Sequence, residues 1–132
     1  KDVVWDIGKT LELMSLVGDD FSLYSGEDCL FLPFLSAGGV GVISVLSNVA
    51  PKETHEICAK WFAGDLEYAR KEQLRALPLI HALFSEVHPI PVKAAMNLQG
   101  KNAGPLRLPL TEIEKEHLEI LKKEMIRYGV LQ

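Results

Sequence analysis

Six residues, Val40-Gly-Val-Ile-Ser-Val45, limit what this chain can fold into more than any others. They are apolar and β-branched on both faces, so a strand built from them belongs inside a sheet, covered on each side. Gly38-Gly39 stop the element before it, and a loop of small polar residues runs on from Ser44 to Pro51. Upstream, Phe21-Ser-Leu-Tyr-Ser25 reads as a short strand, and Glu27 to Ala37 as a helix kinked near Pro33. Strand, helix and buried strand in that order predict a parallel α/β unit. In such units chemistry sits at the carboxyl ends of the strands, which here are Ser25-Gly26 and Ile43-Ser44.

The remainder of the chain predicts helices. Ile7, Leu11, Met14 and Val17 recur at near-helical spacing, Gly18 ends that helix, and Asp19-Asp20 form a turn. Pro51 fits the first turn of a further helix and Gly64 its end. Asp65 caps a long helix reaching about Ser85, with Pro78 inside it. Pro89, Pro91 and Gly100 bracket a short helix over 92–98. Thr111-Glu-Ile-Glu114 has the form of a capping box, opening an amphipathic helix to about Tyr128 with Ile113, Leu118, Leu121 and Met125 on its apolar face. Two parallel strands do not make an independent sheet. The expectation is therefore α/β: residues 1–64 as a segment of a larger barrel or sheet, and 65–132 as a C-terminal helical domain.

Several function classes drop away. The net charge is −4 and the 14 Lys and Arg are scattered, which argues against a nucleic-acid or membrane-surface partner. No apolar run approaches the ~20 residues of a membrane span. Cys29 and Cys58 form no ligand cluster and read as free thiols of a cytoplasmic protein. His55, His81, His88 and His117 lack metal-ligand spacing, so neither metal nor cofactor is expected. Glu112, Glu114, Glu116 and Glu119 form a solvated helix face. Gly38-Gly-Val-Gly41 precedes a strand, not a helix, and so cannot be a phosphate cradle.

Five runs, in this order and spacing, carry a family resemblance: Tyr24-Ser-Gly-Glu-Asp28, Gly38-Gly-Val-Gly-Val-Ile-Ser-Val45, Asn48-Val-Ala-Pro51, Pro89-Ile-Pro-Val-Lys93 and Arg107-Leu-Pro-Leu110. Together they resemble the C-terminal half of the dihydrodipicolinate synthase family, pyruvate-dependent (β/α)8 enzymes of the N-acetylneuraminate lyase superfamily. The resemblance runs along the whole chain. It implies strands seven and eight of a barrel with their helices, followed by the C-terminal helical domain.

In that family a Lys at the end of strand six forms a Schiff base with pyruvate, and it opens a run resembling Lys-Glu-Ala-Ser-Gly-Asp. Lys1-Asp-Val-Val-Trp5-Asp6 matches this run, which implies that Lys1 is the Schiff-base residue. Taken alone, a chain-terminal Lys reads as an exposed, frayed residue. Gly26 and Ile43, the latter through its main-chain carbonyl, would line the pyruvate pocket. Alone they read as a strand–helix turn and as core. Trp5 stands where the family carries Gly and adds bulk beside the site, while His88 replaces an Asn and reads as a turn residue.

The resemblance further implies condensation of pyruvate with L-aspartate 4-semialdehyde in lysine and diaminopimelate biosynthesis, no cofactor, and a homotetramer. A full barrel takes ~250 residues. The family's Gly-Thr-Thr-Gly-Glu motif, its acid/base Tyr residues and the Arg that holds the second substrate belong to an N-terminal half-barrel upstream of Lys1. The chain alone is accordingly expected to be inactive. Two other readings stay open: a sister aldolase acting on a sugar acid, and a non-catalytic, decayed half-barrel serving as an interaction module.

Overall fold

The structure, a computed structural model, describes residues 1–18 and 20–132. Asp19, half of the turn expected at 19–20, lies outside them. Mostly helical, the chain carries a small parallel sheet near its start. Helix α1 spans Ile7–Val17, β1 Tyr24–Ser25, α2 Phe31–Ser36 and β2 Gly41–Val42. Then come α3 (Pro51–Phe62), α4 (Leu66–Leu83), α5 (Ile90–Leu98) and α6 (Lys115–Tyr128). Short 3₁₀ turns at Asp28–Leu30 and Leu46–Asn48 follow the two strands.

The sheet is parallel, with Tyr24 opposite Gly41 and Ser25 opposite Val42. On its other edge β1 takes a one-residue parallel bridge from Asp2 to Ser25. The Asp2 amide donates to the Tyr24 carbonyl at 2.9 Å, and the Gly26 amide donates to the Asp2 carbonyl at 2.6 Å. Three backbone segments thus lie side by side in the order Asp2, β1, β2.

Both strands are shorter than expected. The runs 21–25 and 40–45 keep strand geometry at two residues each. Their flanks are solvated instead: Val40 and Ile43 are 46% and 48% exposed, so the run is not covered on both faces as a buried strand would be. Strand pairing is worth little without a covered face, and the pairing stops where the cover stops.

The helix expected over 27–37 divides into the 3₁₀ turn and α2. Pro33 is tolerated because it occupies the first turn of α2, where amides lack an intrahelical partner. Helix α1 also departs from its expected face. Ile7, Met14 and Val17 turn inward, but the buried position is Thr10 and Leu11 is exposed. The Thr10 hydroxyl donates to the Asp2 carboxylate at 2.8 Å, which supplies a polar reason to bury that side.

The C-terminal helices match their expectations closely. Pro51 opens α3, and the Asp65 carboxylate accepts the Tyr68 amide at 3.3 Å to cap α4. Pro78 lies within α4 without ending it. One correction concerns α6. Its N-cap is Glu114, and no capping box forms at 111–114. The Glu86 carboxylate accepts the Glu114 amide at 2.8 Å and contacts His117 Nδ1 at 2.8 Å, so a distant side chain caps this end.

The core joins the turn after β2 to the helices. Leu46 and Val49 pack with Leu79, Ile80 and Leu83 of α4 and with Leu121 and Met125 of α6. Burying each such side chain contributes ~1.5–3 kcal/mol. The Gln99 amide nitrogen donates to the carbonyls of Val49 and Val130, both at 2.9 Å, tying the C-terminal tail to the same turn.

Candidate active site

Parallel pairing sets Gly26 and Ile43 side by side at the carboxyl ends of β1 and β2, and the Lys1 side chain, from the residue before Asp2, reaches along the edge to Gly26. Lys1 precedes Asp2 at one edge, Gly26 follows β1, and Ile43 follows β2. The Ile43 amide donates to the Ser25 carbonyl at 2.7 Å, which fixes Ile43 beside the end of β1. Gly26 is needed for space here. A Cβ added there would overlap Lys1 Cε, sit 2.7 Å from Val3 Cγ2 and sit 2.9 Å from Lys1 Cγ. The Lys1 stem therefore lies directly across Gly26, and any larger residue would push it away.

Below this surface the chain is tightly bonded. Ser25 is buried, and its hydroxyl donates to the Glu27 carbonyl at 3.1 Å while accepting the Glu27 amide at 3.2 Å. The turn leads into Asp28, whose side chain is fully buried. One Asp28 oxygen accepts the Val45 amide at 3.2 Å and the other the Leu46 amide at 2.5 Å. The Asp28 carbonyl accepts from the Gln73 side-chain amide of α4 at 3.1 Å.

Burial pushes the Asp28 carboxyl up; the Leu46 amide, the Ser44 hydroxyl, the Val45 amide and the positive charge of Lys1 pull it back part of the way. Burial likewise raises Glu27, against a bond from the Cys29 amide. The Cys29 thiol is pushed up to about 11, by burial first and then by the carboxylates of Glu27 and Asp28. It is no thiolate nucleophile at neutral pH.

The charge of Lys1 acts on both Asp28 and His88, neither of which sequence reasoning assigned to the site. His88 lies in the turn between α4 and α5, its ring stacked on Phe84 at 6.1 Å between centroids. Its imidazolium is disfavoured by burial first and then by the nearby Lys1 charge, with Asp28 acting the other way. Asp28 stood within a quoted motif, but nothing local in sequence marks a carboxylate whose partners are amides 17 and 18 residues away. His88 is brought near by the packing of α4 and has no local signal at all.

Trp5, expected to add bulk beside the site, has a side chain that is 68% exposed. His117 pairs with Glu86 and serves α6. Among the described residues no group of three or more His, Cys, Asp or Glu side chains could hold a metal ion. A larger groove of about 670 Å³ lies between α5 and the 104–113 segment, but Lys1, Gly26 and Ile43 do not line it. No described helix is long and apolar enough to cross a membrane.

A lysine side chain laid over a glycine at the carboxyl end of a parallel strand can do carbonyl chemistry through its amine. Comparison with known proteins points the same way. The family model described as the dihydrodipicolinate synthetase family matches residues 1–127. The 4-hydroxy-tetrahydrodipicolinate synthase of Acetivibrio thermocellus is 49% identical over 126 residues, covering 96% of this chain and 43% of that protein. The enzyme of the same name from a Thermoanaerobacter species is 47% identical over 132 residues, covering 100% of this chain and 44% of that protein. Among solved structures, the Thermotoga maritima dihydrodipicolinate synthase superposes with a TM-score of 0.95 at 43% identity, over 99% of this chain and 45% of that one. The chain thus spans less than half the length of these relatives.

Proposed function

The chain belongs to the dihydrodipicolinate synthetase family, and on that premise we propose that it is the C-terminal part of a lyase that condenses pyruvate with L-aspartate 4-semialdehyde. That reaction would serve lysine and diaminopimelate biosynthesis. Lys1 is the Schiff-base residue. Its Nζ attacks the pyruvate ketone, water leaves, and an iminium forms. Loss of a methyl proton gives an enamine, whose carbon attacks the aldehyde of the second substrate. Gly26 leaves room for pyruvate over the end of β1, and the Ile43 carbonyl faces it from β2. The observation that carries this reading is the Lys1 stem lying across Gly26 at the carboxyl ends of the parallel strands.

Residues 1–64 would contribute the last strands and helices of a (β/α)8 barrel, and 65–132 a C-terminal helical domain. The rest of the barrel would come from an N-terminal half, without which the chain does not turn over. Exposed apolar residues on α1, Leu11, Leu13 and Leu16, support assembly into a cytoplasmic homo-oligomer such as a tetramer.

The test is incubation with pyruvate, borohydride reduction and peptide mass mapping, on this chain and on the longer protein that carries it. The expected result is a pyruvate adduct on Lys1 Nζ in the longer protein, and a weak or absent adduct in the 132-residue chain. No adduct at Lys1 in the longer protein overturns the assignment. Turnover assays with aspartate semialdehyde against sugar-acid aldehydes then separate the synthase from a sister aldolase.

A further inference from the structure

Asp28 is the most deeply placed ionisable group near Lys1, and the proposed reaction gives it no step. Its surroundings are unusual in three ways. It is completely buried, yet each carboxylate oxygen faces a backbone amide of the run that follows β2. Its carbonyl is held separately by Gln73, a buried side chain of α4 that lies 45 residues further along the chain. It also lies two residues beyond Gly26, across which the Lys1 stem is laid.

We propose that Asp28 is a positioning residue that holds the Ile43–Leu46 run in register beside Lys1, with Gln73 of the C-terminal helices bracing it from behind. The proposal rests on the reading of Lys1 as the imine-forming residue. The geometry explains why a carboxylate stands here. Two amides converge from one side, so the group between them has to accept twice and donate nowhere. An ionised Asp does this. Asn would present one acceptor and one donor, and the donor would meet an amide hydrogen.

The site residues also need this hold. Ile43 is tied to β1 through its own amide, but β2 ends at Val42 and the next residues leave the sheet. Among the described residues, the Asp28 bonds are the hydrogen bonds that tie Val45 and Leu46 to the β1 side.

Two variants of the longer protein test this, Asp28→Asn and Gln73→Leu, each with three readouts. Amide hydrogen exchange at 43–46 reports the hold itself, whatever Lys1 does. Borohydride trapping against pyruvate concentration reports the imine, and steady-state kinetics report kcat and KM. We expect faster exchange at Val45 and Leu46 in both variants. In Asp28→Asn, kcat should fall about a hundredfold, as expected for reacting groups displaced by ~1 Å, and trapping should need more pyruvate. Gln73→Leu, which keeps the two carboxylate–amide bonds, should lower kcat only several-fold and leave trapping near the wild-type curve. If both variants merely melt at lower temperature while exchange at 43–46, trapping and kcat hold at wild-type values, Asp28 is a structural residue only and the proposal falls. If wild type traps no pyruvate on Lys1 but exchange at 43–46 still rises in the variants, the assignment of Lys1 fails and the hold on the run stands. If Asp28→Asn does not fold, unchanged exchange in Gln73→Leu sinks the proposal.

Discussion

The sheet end and the helical end of this molecule are built to different standards. Among the described residues, ten large apolar side chains are exposed in the first 43 positions, and nine in the remaining 89. Val3, Val4, Trp5, Phe21, Tyr24 and Val40 crowd around the three paired segments, and Leu11, Leu13 and Leu16 line α1. From Leu46 onward the picture reverses. Leu79, Leu83, Leu121 and Met125 are sealed in one core, closed by the Arg75–Glu72–Tyr128 cluster. The helical end can satisfy itself. The sheet end cannot, and the residues proposed for chemistry lie on it. Open apolar surface of this extent marks a face that contacts further protein.

The sharpest way to break this contrast is to remove core side chains. Leu121→Ala in the isolated chain should cost about 2–5 kcal/mol, because a fully buried leucine leaves a cavity. Denaturant unfolding followed by helix content reads the loss directly. A cost below ~1 kcal/mol would mean that the helices are no better packed than the sheet end.

A smaller effect should come from the cluster closing α6. Tyr128 donates its hydroxyl to Glu72 at 2.9 Å, Arg75 contacts the same carboxylate and donates to the Tyr128 carbonyl at 2.9 Å, and the guanidinium lies 4.1 Å from the Tyr128 ring centre. Tyr128→Phe should cost about 1.5–3 kcal/mol, the range for a hydrogen bond to a charged group. The pH dependence has a definite sign. Burial pushes the Glu72 carboxyl up, but the bonds from Arg75 and Tyr128 outweigh it and leave the group below its ordinary value. A depressed carboxyl adds stability above its unfolded pKa and loses it as pH falls through the folded one. The helical end should therefore weaken below the ordinary carboxylate range, and Glu72→Gln should flatten that part of the curve. An unchanged acid limb in Glu72→Gln would place the acid sensitivity elsewhere.

Sequence and structure agree best where local rules decide. Pro51, Gly64 and Asp65 mark helix ends by backbone chemistry that acts within a turn, and α3 begins and ends, and α4 begins, there. They agree least where a distant partner decides. Thr111 and Glu114 looked like a capping box, but Glu86 reaches the α6 amide first. The strands were legible as strands, yet their length depends on neighbours that residues 40–45 cannot specify. The proposed site divides in that way: Gly26 and Ile43 stand at strand ends legible in the sequence, Lys1 enters through the family resemblance alone, and the partners of Asp28 are amides 17 and 18 residues away.

The smallest expected effect is the most discriminating. Leu16 is 82% exposed on α1, so Leu16→Gln should change the stability of the isolated chain by no more than ~0.5 kcal/mol. In the longer, assembled protein the same change would place a polar amide against whatever covers α1. If that face is a contact, the assembly should dissociate at higher protein concentration than wild type in sedimentation experiments. The two measurements have to be read together. Neutral in the chain and disruptive in the assembly means that the exposed leucines of α1 are an interface seen without its partner. Neutral in both means that the open surface of the sheet end is confined to the strands and α1 is simply a solvated helix, which would remove three of the ten exposed side chains from the contrast between the two ends.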